Sequence, residues 1–174
     1  MTLVAGPVAL RTPRGVERID VVSARDMLAA VRKALAAGDG PAALVMTAAV
    51  ADWRPAVCAA RKLKKTQMSG TLRLVRNPDI LKSLGRRARG EVRIGFAAET
   101  GEPTAEAARK CRAKGLDLVV ANDVTQAGAG FGATTNRVAF VFPDGRVEPL
   151  PLMAKAAVAR RIVRLAERLA GGAA

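Results

Sequence analysis

The feature of this sequence that most constrains its fold is the alternation of short apolar segments with longer amphipathic ones. Strands are predicted at residues 17–22, 42–47, 71–75, 92–97 and 116–121, helices at 23–38, from 77 onward, at 104–114 and at 153–169, and a hairpin at 137–142 and 146–149. Repeated strand–helix alternation is typical of a mainly parallel sheet that helices cover on both faces. The chain is therefore predicted to form a three-layer α/β fold with a C-terminal hairpin.

Three segments carry more specific expectations. The fully apolar segment 42–47 is expected to form a strand buried on both faces. Asn77 is expected to cap a helix that has Pro78 at its first position. Residues 48–70 show no clear period, and a loop of that length inside a domain is usually functional or mobile.

The chain contains no histidine. This absence excludes a Ser-His-Asp or Cys-His nucleophile pair and a zinc site with histidine ligands. Acid–base catalysis and electrostatic stabilisation would then depend on Lys, Arg, Asp, Glu or backbone amides. The remaining candidate chemistry is charge stabilisation and binding.

Positive charge is concentrated in one part of the chain. Residues 54–93 hold twelve Lys or Arg against Asp79 and Glu91, which supplies +10 of the net +14. Such a segment attracts polyanions, namely nucleotide triphosphates, nucleic acid or an anionic membrane surface. The alternative is a solvated surface in an arginine-rich protein. Only five aromatic residues are present, which disfavours nucleic-acid binding by base stacking.

Cysteine usage and hydropathy indicate the compartment. Cys58 and Cys111 lack CxxC spacing, and the chain starts without a basic, signal-like segment. No apolar run approaches the roughly 18–20 residues that a membrane span needs. The sequence therefore predicts a cytoplasmic protein with two reduced thiols and no membrane contact.

The loops that follow the predicted strands are the candidate ligand-binding segments. In open α/β sheets, ligands bind beyond the carboxyl ends of the strands, which here precede residues 48–54, 96–100 and 121–136. Each of these segments passes from an apolar strand into small and polar residues that let a ligand approach the backbone. Small residues also pack helices on sheets, but three such segments together favour a shared pocket.

Charged residues near these loops have a binding interpretation and a structural one. Lys62 could reach a phosphate as a point charge, although composition does not separate it from its cationic neighbours. Asp52 could orient a ribose or bind Mg²⁺ through a phosphate, or it could shape a turn. Lys110 and Lys114 share one helical face, as a ligand pair or as a solvated pair near the helix C-terminus. The helix start at Asn77 could bind phosphate or be an ordinary cap.

Several motifs occur together in an order and spacing known from one family. They are Ala48-Ala49-Val50-Ala51-Asp52-Trp53-Arg54-Pro55, Lys62-Leu63-Lys64-Lys65, Asn77-Pro78-Asp79-Ile80-Leu81, Gly95-Phe96-Ala97-Ala98-Glu99-Thr100, Lys110 with Lys114, residues 116–124, Gly130-Phe131-Gly132 and Thr135-Asn136. Over nearly its whole length the chain resembles phosphopantothenoylcysteine synthetase, the phosphopantothenate–cysteine ligase of coenzyme A biosynthesis.

The resemblance implies a Rossmann-like fold, a homodimer, and a separate or fused flavin decarboxylase as partner. It also implies CTP as co-substrate, Mg²⁺, and ligation of 4'-phosphopantothenate with cysteine through an acyl-cytidylate. Nucleotide contacts carried over by motif are Ala48, Asp52, Lys62, Pro78, Asp79, Ile80, Leu81, Phe96, Lys110 and Lys114. Lys62 is the expected catalytic residue, Asp52 a candidate metal ligand, and Asn122, Asp123 and Phe131 candidates for the substrate pocket.

The chain departs from the family at its N-terminus. Family members begin with a strand, a Gly-rich turn, an Asn-x-Ser-Ser-Gly loop and a long helix that do not occur here. Residues 1–174 are therefore expected to be a single, N-terminally truncated domain of this family. The alternative hypothesis is a catalytically incomplete remnant that binds a nucleotide or RNA through residues 54–93.

Overall fold

The computed structural model describes residues 1–38, 42–64, 70–99, 104–123, 125–126, 128 and 132–171, with the backbone alone for 99, 104, 105 and 123. In chain order the elements are β1 (Thr2–Ala5), β2 (Glu17–Asp20), α1 (Ala24–Ala36), β3 (Ala43–Met46), β4 (Trp53–Pro55), β5 (Leu74–Arg76), α2 (Ile80–Ser83), β6 (Val92–Glu99), α3 (Thr104–Ala113), β7 (Leu118–Asp123), β8 (Thr135–Asn136), β9 (Ala139–Val141), β10 (Val147–Pro149), β11 (Met153–Ala154) and α4 (Lys155–Gly171). The first of two compact units comprises Met1–Ala36 and Ala48–Leu84, and the second comprises Ala37–Thr47 and Gly85–Ala174.

The first unit contains two small sheets and two helices. β1 and β2 pair in parallel, whereas β4, inside the segment 48–70 that lacks a sequence period, pairs with β5 as an antiparallel ribbon. β5 overlaps the strand predicted at 71–75. Helix α1 begins with a reciprocal cap, because the Asp26 amide donates to Ser23 Oγ and the Ser23 amide donates to Asp26 Oδ2. The hydrogen bond from the Ser23 hydroxyl lowers the pKa of the Asp26 carboxyl. Met27 and Val31 form the buried stripe of α1.

The second unit is built on a five-stranded sheet with the order β10-β9-β7-β6-β3. β3, β6 and β7 are parallel neighbours, and β9 is antiparallel to both β7 and β10. Four of the five strands therefore run in the same direction, which confirms the predicted mainly parallel α/β sheet. The hairpin between β9 and β10 is also confirmed, with Gly145 at φ 92° in its loop.

Helices α3 and α4 cover opposite faces of this sheet. The side chains at even-numbered strand positions form one apolar cluster with α4. From the strands it includes Ile94, Leu118, Val120 and Phe140, and from the helix Val158, Ile162, Leu165 and Ala166. The odd-numbered face presents Val119 and Val141, and α3 buries Cys111 there with its Sγ 3.8 Å from the Val141 carbonyl oxygen. Side chains alternate between the faces of a strand, so the second unit has the expected three layers.

Burial also decides the chemistry of the two thiols. Cys111 is fully buried, and burial, helped by the negative charge of Asp117, raises the pKa of its thiol to about 11. A thiol that stays protonated at neutral pH is a poor nucleophile. Cys58 is exposed. Cys111 is therefore a core residue rather than a reactive one.

Two predictions about local structure in the second unit are wrong. Residues 42–47 were expected to be buried on both faces, but β3 lies at the edge of the sheet and alternates between exposed and half-buried side chains, with Val45 37% exposed. The last helix begins at Lys155 rather than Met153, because Met153 and Ala154 pair with Asn136 and Thr135 as a short antiparallel bridge. Both differences depend on long-range strand pairing, which a local pattern does not contain.

A buried ionic cluster lies at the amino ends of β6 and β7. Arg93 Nε donates to Glu91 Oε1 at 2.5 Å, and the two side chains are only 4% and 5% exposed. Arg93 Nη1 also donates to the Gly85 carbonyl, and Arg87 Nη1 lies 2.7 Å from Asp117 Oδ1. The backbone amide of Arg93 donates to Asp117 Oδ2. These bonds attach the segment before β6 to the sheet.

Shortening the side chain at the centre of the core is expected to be costly. Ile94 is fully buried between β6 and α4, so Ile94→Ala should lower the free energy of unfolding by about 2–5 kcal/mol through lost contacts and a residual cavity. Val163 lies on the outer face of α4 and is 53% exposed, so Val163→Ala should change it by no more than about 0.5 kcal/mol. Urea denaturation of both variants measures the difference, and equal losses would contradict the assigned core.

The ionic cluster predicts a pH dependence of stability. Burial raises the pKa of Glu91, but hydrogen bonds from Arg93 and the Ala88 amide, with the charges of Arg93 and Arg87, lower it below its ordinary value of 4.5 overall. A carboxyl whose pKa is lower in the folded state stabilises the fold above pH 4.5, and this contribution is lost as the pH falls through the folded value.

Glu91→Gln should therefore flatten the loss of stability below pH 4.5 and, by leaving the Arg93 guanidinium without its carboxylate, cost about 3–5 kcal/mol at pH 7. Denaturant unfolding between pH 3 and pH 7 measures both effects, with Glu167→Gln, at an exposed position of α4, as the control. An unchanged pH profile in Glu91→Gln would refute this account.

Candidate functional site

Asn77 connects two of the segments in which binding residues were predicted. Its backbone amide donates to the Asp52 carbonyl at 2.7 Å, and its side-chain Nδ2 donates to the Ala51 carbonyl at 2.8 Å. Arg54 Nη1 donates to Asn77 Oδ1 at 3.1 Å and to the Arg76 carbonyl. The end of the 48–52 loop is thereby held against the start of the 77–81 turn, and both belong to the first unit.

The turn itself differs from the prediction. Asn77 does not cap a helix, because its side chain is bound to the Ala51 carbonyl and to Arg54. The N-cap is Asp79, whose Oδ1 accepts from the Lys82 amide at 3.2 Å, so Pro78 precedes the cap instead of opening the helix. The residue before a proline disfavours helical backbone, which is consistent with Asn77 lying outside α2.

Helix α2 is a single turn that is held in place by packing and by a hydrogen bond from α1. Ile80 and Leu81 are buried, and Arg32 of α1 donates from Nη2 to the Ser83 carbonyl at 2.6 Å. Asp79 is occupied by the capping bond to Lys82. One rigid turn thus contains four of the predicted nucleotide contacts, namely Pro78, Asp79, Ile80 and Leu81. Its two apolar residues, Ile80 and Leu81, pack in the interior.

The remaining candidates of the first unit are exposed to solvent. Ala48 accepts a hydrogen bond from the Val50 amide at 3.1 Å, which tightens the loop that ends at Asp52. Lys62 lies in an exposed cationic stretch with Arg61 and Lys64. An exposed ammonium on a flexible stem is accessible to a phosphate ligand.

In the second unit, β6 and β7 bring two predicted segments side by side at their carboxyl ends. Ala98 pairs with Asn122, and Glu99 pairs with Asp123 at the next position. Asn122 is 7% exposed, and the half-buried Phe96 packs against the cluster beneath α4. The side chain of Asp123 and the whole of Phe131 lie outside the described residues. The carboxyl ends of β6 and β7 are therefore neighbours, and the pocket predicted to be shared by the loops stays a prediction.

Lys110 and Lys114 occupy one face at the end of α3, as their spacing predicts. The Lys114 amide donates to the Lys110 carbonyl at 3.0 Å, and both side chains are half-buried. Glu106 lies 3.8 Å from Lys110 Nζ, and its pKa is lowered chiefly by the hydrogen bond from Arg109. This part of the second unit is therefore a cationic helix end with one nearby carboxylate.

Two features of the site were not predicted from the sequence. Arg54 donates to Asn77, a contact that its place in the motif 48–55 does not by itself predict. Asn136 Oδ1 is buried without a hydrogen-bond partner among the described residues, although Asn136 falls within a recognised motif. A buried acceptor of this kind is usually satisfied by water or a ligand.

The described residues form no group of three or more Asp, Glu, Cys or His that could hold a metal ion. Within the same residues no helix is both long and apolar enough to cross a membrane.

The sequence model of one family, the DNA/pantothenate metabolism flavoprotein C-terminal domain, matches residues 1–169. The chain is 45% identical over 163 residues to the coenzyme A biosynthesis bifunctional protein CoaBC of Bacillus subtilis, a match that covers 93% of this chain and 39% of that protein. The CoaBC protein of Vibrio vulnificus is 42% identical over 174 residues, covering 98% of this chain and 42% of that protein. The chain thus spans about two fifths of the length of these relatives.

Solved structures agree with the sequence match. A crystal structure of the C-terminal domain of a coenzyme A biosynthesis bifunctional protein CoaBC superposes with a TM-score of 0.76 at 37% identity, covering 97% of this chain and 73% of that domain. A DNA/pantothenate metabolism flavoprotein from Streptococcus pneumoniae shares the fold at 18% identity, with a TM-score of 0.75. By sequence and by fold, the chain belongs to the family of DNA/pantothenate metabolism flavoprotein C-terminal domains.

Proposed function

We propose that this chain catalyses the CTP-dependent ligation of 4'-phosphopantothenate with cysteine in coenzyme A biosynthesis. The observation that carries the proposal is its likeness, in sequence and fold, to the C-terminal domain of a coenzyme A biosynthesis bifunctional protein CoaBC. The order of the motifs at residues 48–55, 62–65, 77–81, 95–100 and 116–124 supports the same activity.

The proposed reaction has two steps. The carboxylate of phosphopantothenate attacks the α-phosphorus of CTP, the bond to the bridging oxygen breaks, and pyrophosphate leaves. The cysteine amine then attacks the acyl carbon, loses a proton and expels CMP, which leaves an amide. Negative charge accumulates on phosphoryl oxygens in the first step, and cationic side chains stabilise such charge without histidine.

Lys62 is the residue to which we assign this charge stabilisation. Its ammonium is exposed in the first unit, where the loop ending at Asp52 and the turn at Pro78 are held together by Asn77. We propose that this backbone orients the nucleotide while the Lys62 ammonium, on its flexible stem, neutralises charge on the leaving pyrophosphate. The contacts predicted for Phe96, Lys110 and Lys114 belong to the second unit and stay predictions.

Mg²⁺ is proposed to enter with the nucleotide. The described residues offer no cluster of protein ligands, and Mg²⁺ commonly binds through one or two carboxylates together with substrate phosphates and water. Asp52 is exposed and fits the role of such a single carboxylate. The metal would neutralise charge on the triphosphate.

A homodimer is proposed to form through the β4–β5 ribbon of the first unit. The cross-strand pairs Trp53–Arg76 and Pro55–Leu74 place these four side chains on one face. Trp53 is 49% exposed and Leu74 is 48% exposed, and Arg76 stacks over the indole at 5.0 Å. An exposed aromatic and aliphatic face beside arginine has the composition of a protein interface.

A flavin decarboxylase, separate or fused, is the further partner we propose, because the CoaBC relatives are bifunctional and extend well beyond this chain. A cytoplasmic location is proposed as well. Cys58 is exposed and unpaired, a state that a reducing compartment preserves.

RNA binding through residues 54–93 is the competing hypothesis. The structure divides this basic segment: Arg93 is bound to Glu91, Arg87 to Asp117, and Arg54 to the ribbon backbone. Arg93 and Arg87 are paired with carboxylates and are therefore less available to a phosphate backbone than the exposed cations of the segment. The exposed cations could serve either ligand, so competition between RNA and CTP separates the two hypotheses.

Lys62→Ala is expected to weaken CTP binding and to slow pyrophosphate release by roughly 10²–10³-fold, because one cation that stabilises the transition state is removed. Calorimetry with CTP and Mg²⁺ measures binding, and pyrophosphate release with phosphopantothenate and cysteine measures turnover. Arg61→Gln, an exposed neighbour, is the matched control and should retain both CTP binding and pyrophosphate release.

Absence of both CTP binding and pyrophosphate release in the unsubstituted chain would refute the proposed function. A salt-sensitive RNA complex that CTP does not displace would favour the competing hypothesis of RNA binding.

Leu74→Glu is expected to shift the dimer to monomer, because a desolvated carboxylate in the apolar centre of an interface is strongly unfavourable. Sedimentation velocity over a range of concentrations measures the shift. Val163→Glu places the same charge on an exposed site of α4 and should leave the association unchanged. A dimer that tolerates Leu74→Glu would place the interface elsewhere.

A further inference from the structure

A groove of about 740 Å³ lies in the second unit between α4 and the strands β9 and β10. Phe140 and Leu150 line it from the sheet, and Arg161, Arg164 and Arg168 line it from the helix. Its volume is within the roughly 300–1,000 Å³ typical of small-molecule sites. Nothing in the proposed ligase reaction uses this groove.

The three arginines form a single cationic stripe. They are spaced at i, i+3 and i+7, which places them on one face of α4 over about 10 Å of helix axis. All three are exposed, and within the described part of the chain none of them forms an ion pair. Three guanidinium groups of like charge held along one wall repel each other unless an anion lies between them.

The acidic residues of the groove cancel only part of this charge. Glu148 accepts from Arg146 Nη1, so its carboxylate is already compensated, and Arg146 also stacks over the Phe142 ring at 3.7 Å. Glu167 is the other carboxylate that lines the groove. The groove as a whole is therefore cationic.

The groove is separate from the strand ends where the ligase residues of this unit were predicted. Phe140 pairs with Val120 in the middle of β7 on one side and with Glu148 on the other. Asn122 and Asp123 lie further along β7, at its carboxyl end. A ligand in the groove would contact the flank of the sheet under α4 rather than the strand ends.

The adjacent sheet edge is a poor place for an added peptide strand. The Leu150 amide donates to the Val138 carbonyl, and antiparallel alternation then directs the backbone nitrogens of Val147 and Pro149 outward. Pro149 has no N–H to donate, and β10 is only three residues long. The geometry therefore favours a compact anion over an extended acidic peptide.

We propose that this groove binds a compact anion with at least two phosphoryl groups, held by the guanidinium groups of Arg161, Arg164 and Arg168. Guanidinium pairs with phosphate in a bidentate, charge-assisted geometry, and the stripe is long enough to engage two phosphoryl groups at once. The proposal does not depend on the ligase function.

Calorimetric titration of the chain with tripolyphosphate tests the proposal, in a Lys62→Ala background so that the proposed nucleotide site contributes little. Replacing Arg161, Arg164 and Arg168 together by Gln should weaken binding at least about tenfold, since each lost charged hydrogen bond is costly. The matched control replaces Arg14, Arg25 and Arg160, three exposed arginines outside the groove, by Gln and should bind as before.

The calorimetry would overturn the proposal in two cases: unchanged affinity in the groove variant, or equal losses in the groove and control variants, which would indicate general charge attraction. Circular dichroism of both variants checks that α4 remains folded, and backbone chemical-shift changes on adding tripolyphosphate should concentrate in residues 146–150 and 160–169. Shifts confined to other residues would also refute the assignment. Failure of the CTP assays leaves these outcomes unaffected, so the two proposals can fail separately.

Discussion

The parallel pairing of β6 with β7 is the contact on which the rest of the second unit depends. Its register, from Ile94 opposite Leu118 to Glu99 opposite Asp123, sets which side chains face α4 and which face α3. A slip of one residue would move every apolar side chain to the other face. The same register brings Ala98 and Asn122 together at the carboxyl ends, so the core and the candidate binding edge are determined by one set of hydrogen bonds.

Polar contacts hold the segments that the apolar core does not reach. At the amino ends of the strands, Arg93 and Glu91 form a buried pair that attaches the preceding segment to the sheet. In the first unit, Asn77 bonds to both Ala51 and Asp52 and accepts from Arg54. The charges and hydrogen-bonding groups of these side chains are already engaged within the fold. From composition alone they would be counted as available for ligand binding. The net charge of a segment is consequently a poor guide to what it can bind.

Local patterns predicted the elements well where side-chain periodicity and burial agree. The strands β6 and β7, the helices α1 and α3, and the capping pair Ser23 and Asp26 all follow from spacing within the chain. The edge position of β3, the strand β4 with its pairing to β5, and the late start of α4 do not, because each depends on a partner strand distant in sequence. The cap at Asp79 was missed for a related reason, since the Asn77 side chain is bound elsewhere.

The sequence by itself determined the class of fold, the family, and the residue types available for chemistry. Periodicity, motif order and the absence of histidine are properties of the chain alone. Tertiary structure decided which charges are occupied and which stay exposed: Arg93 is buried in an ion pair, whereas Arg161, Arg164 and Arg168 line an open groove. The physical reason is that the environment of a charge depends on its burial and neighbours, and both arise only when segments distant in sequence pack together.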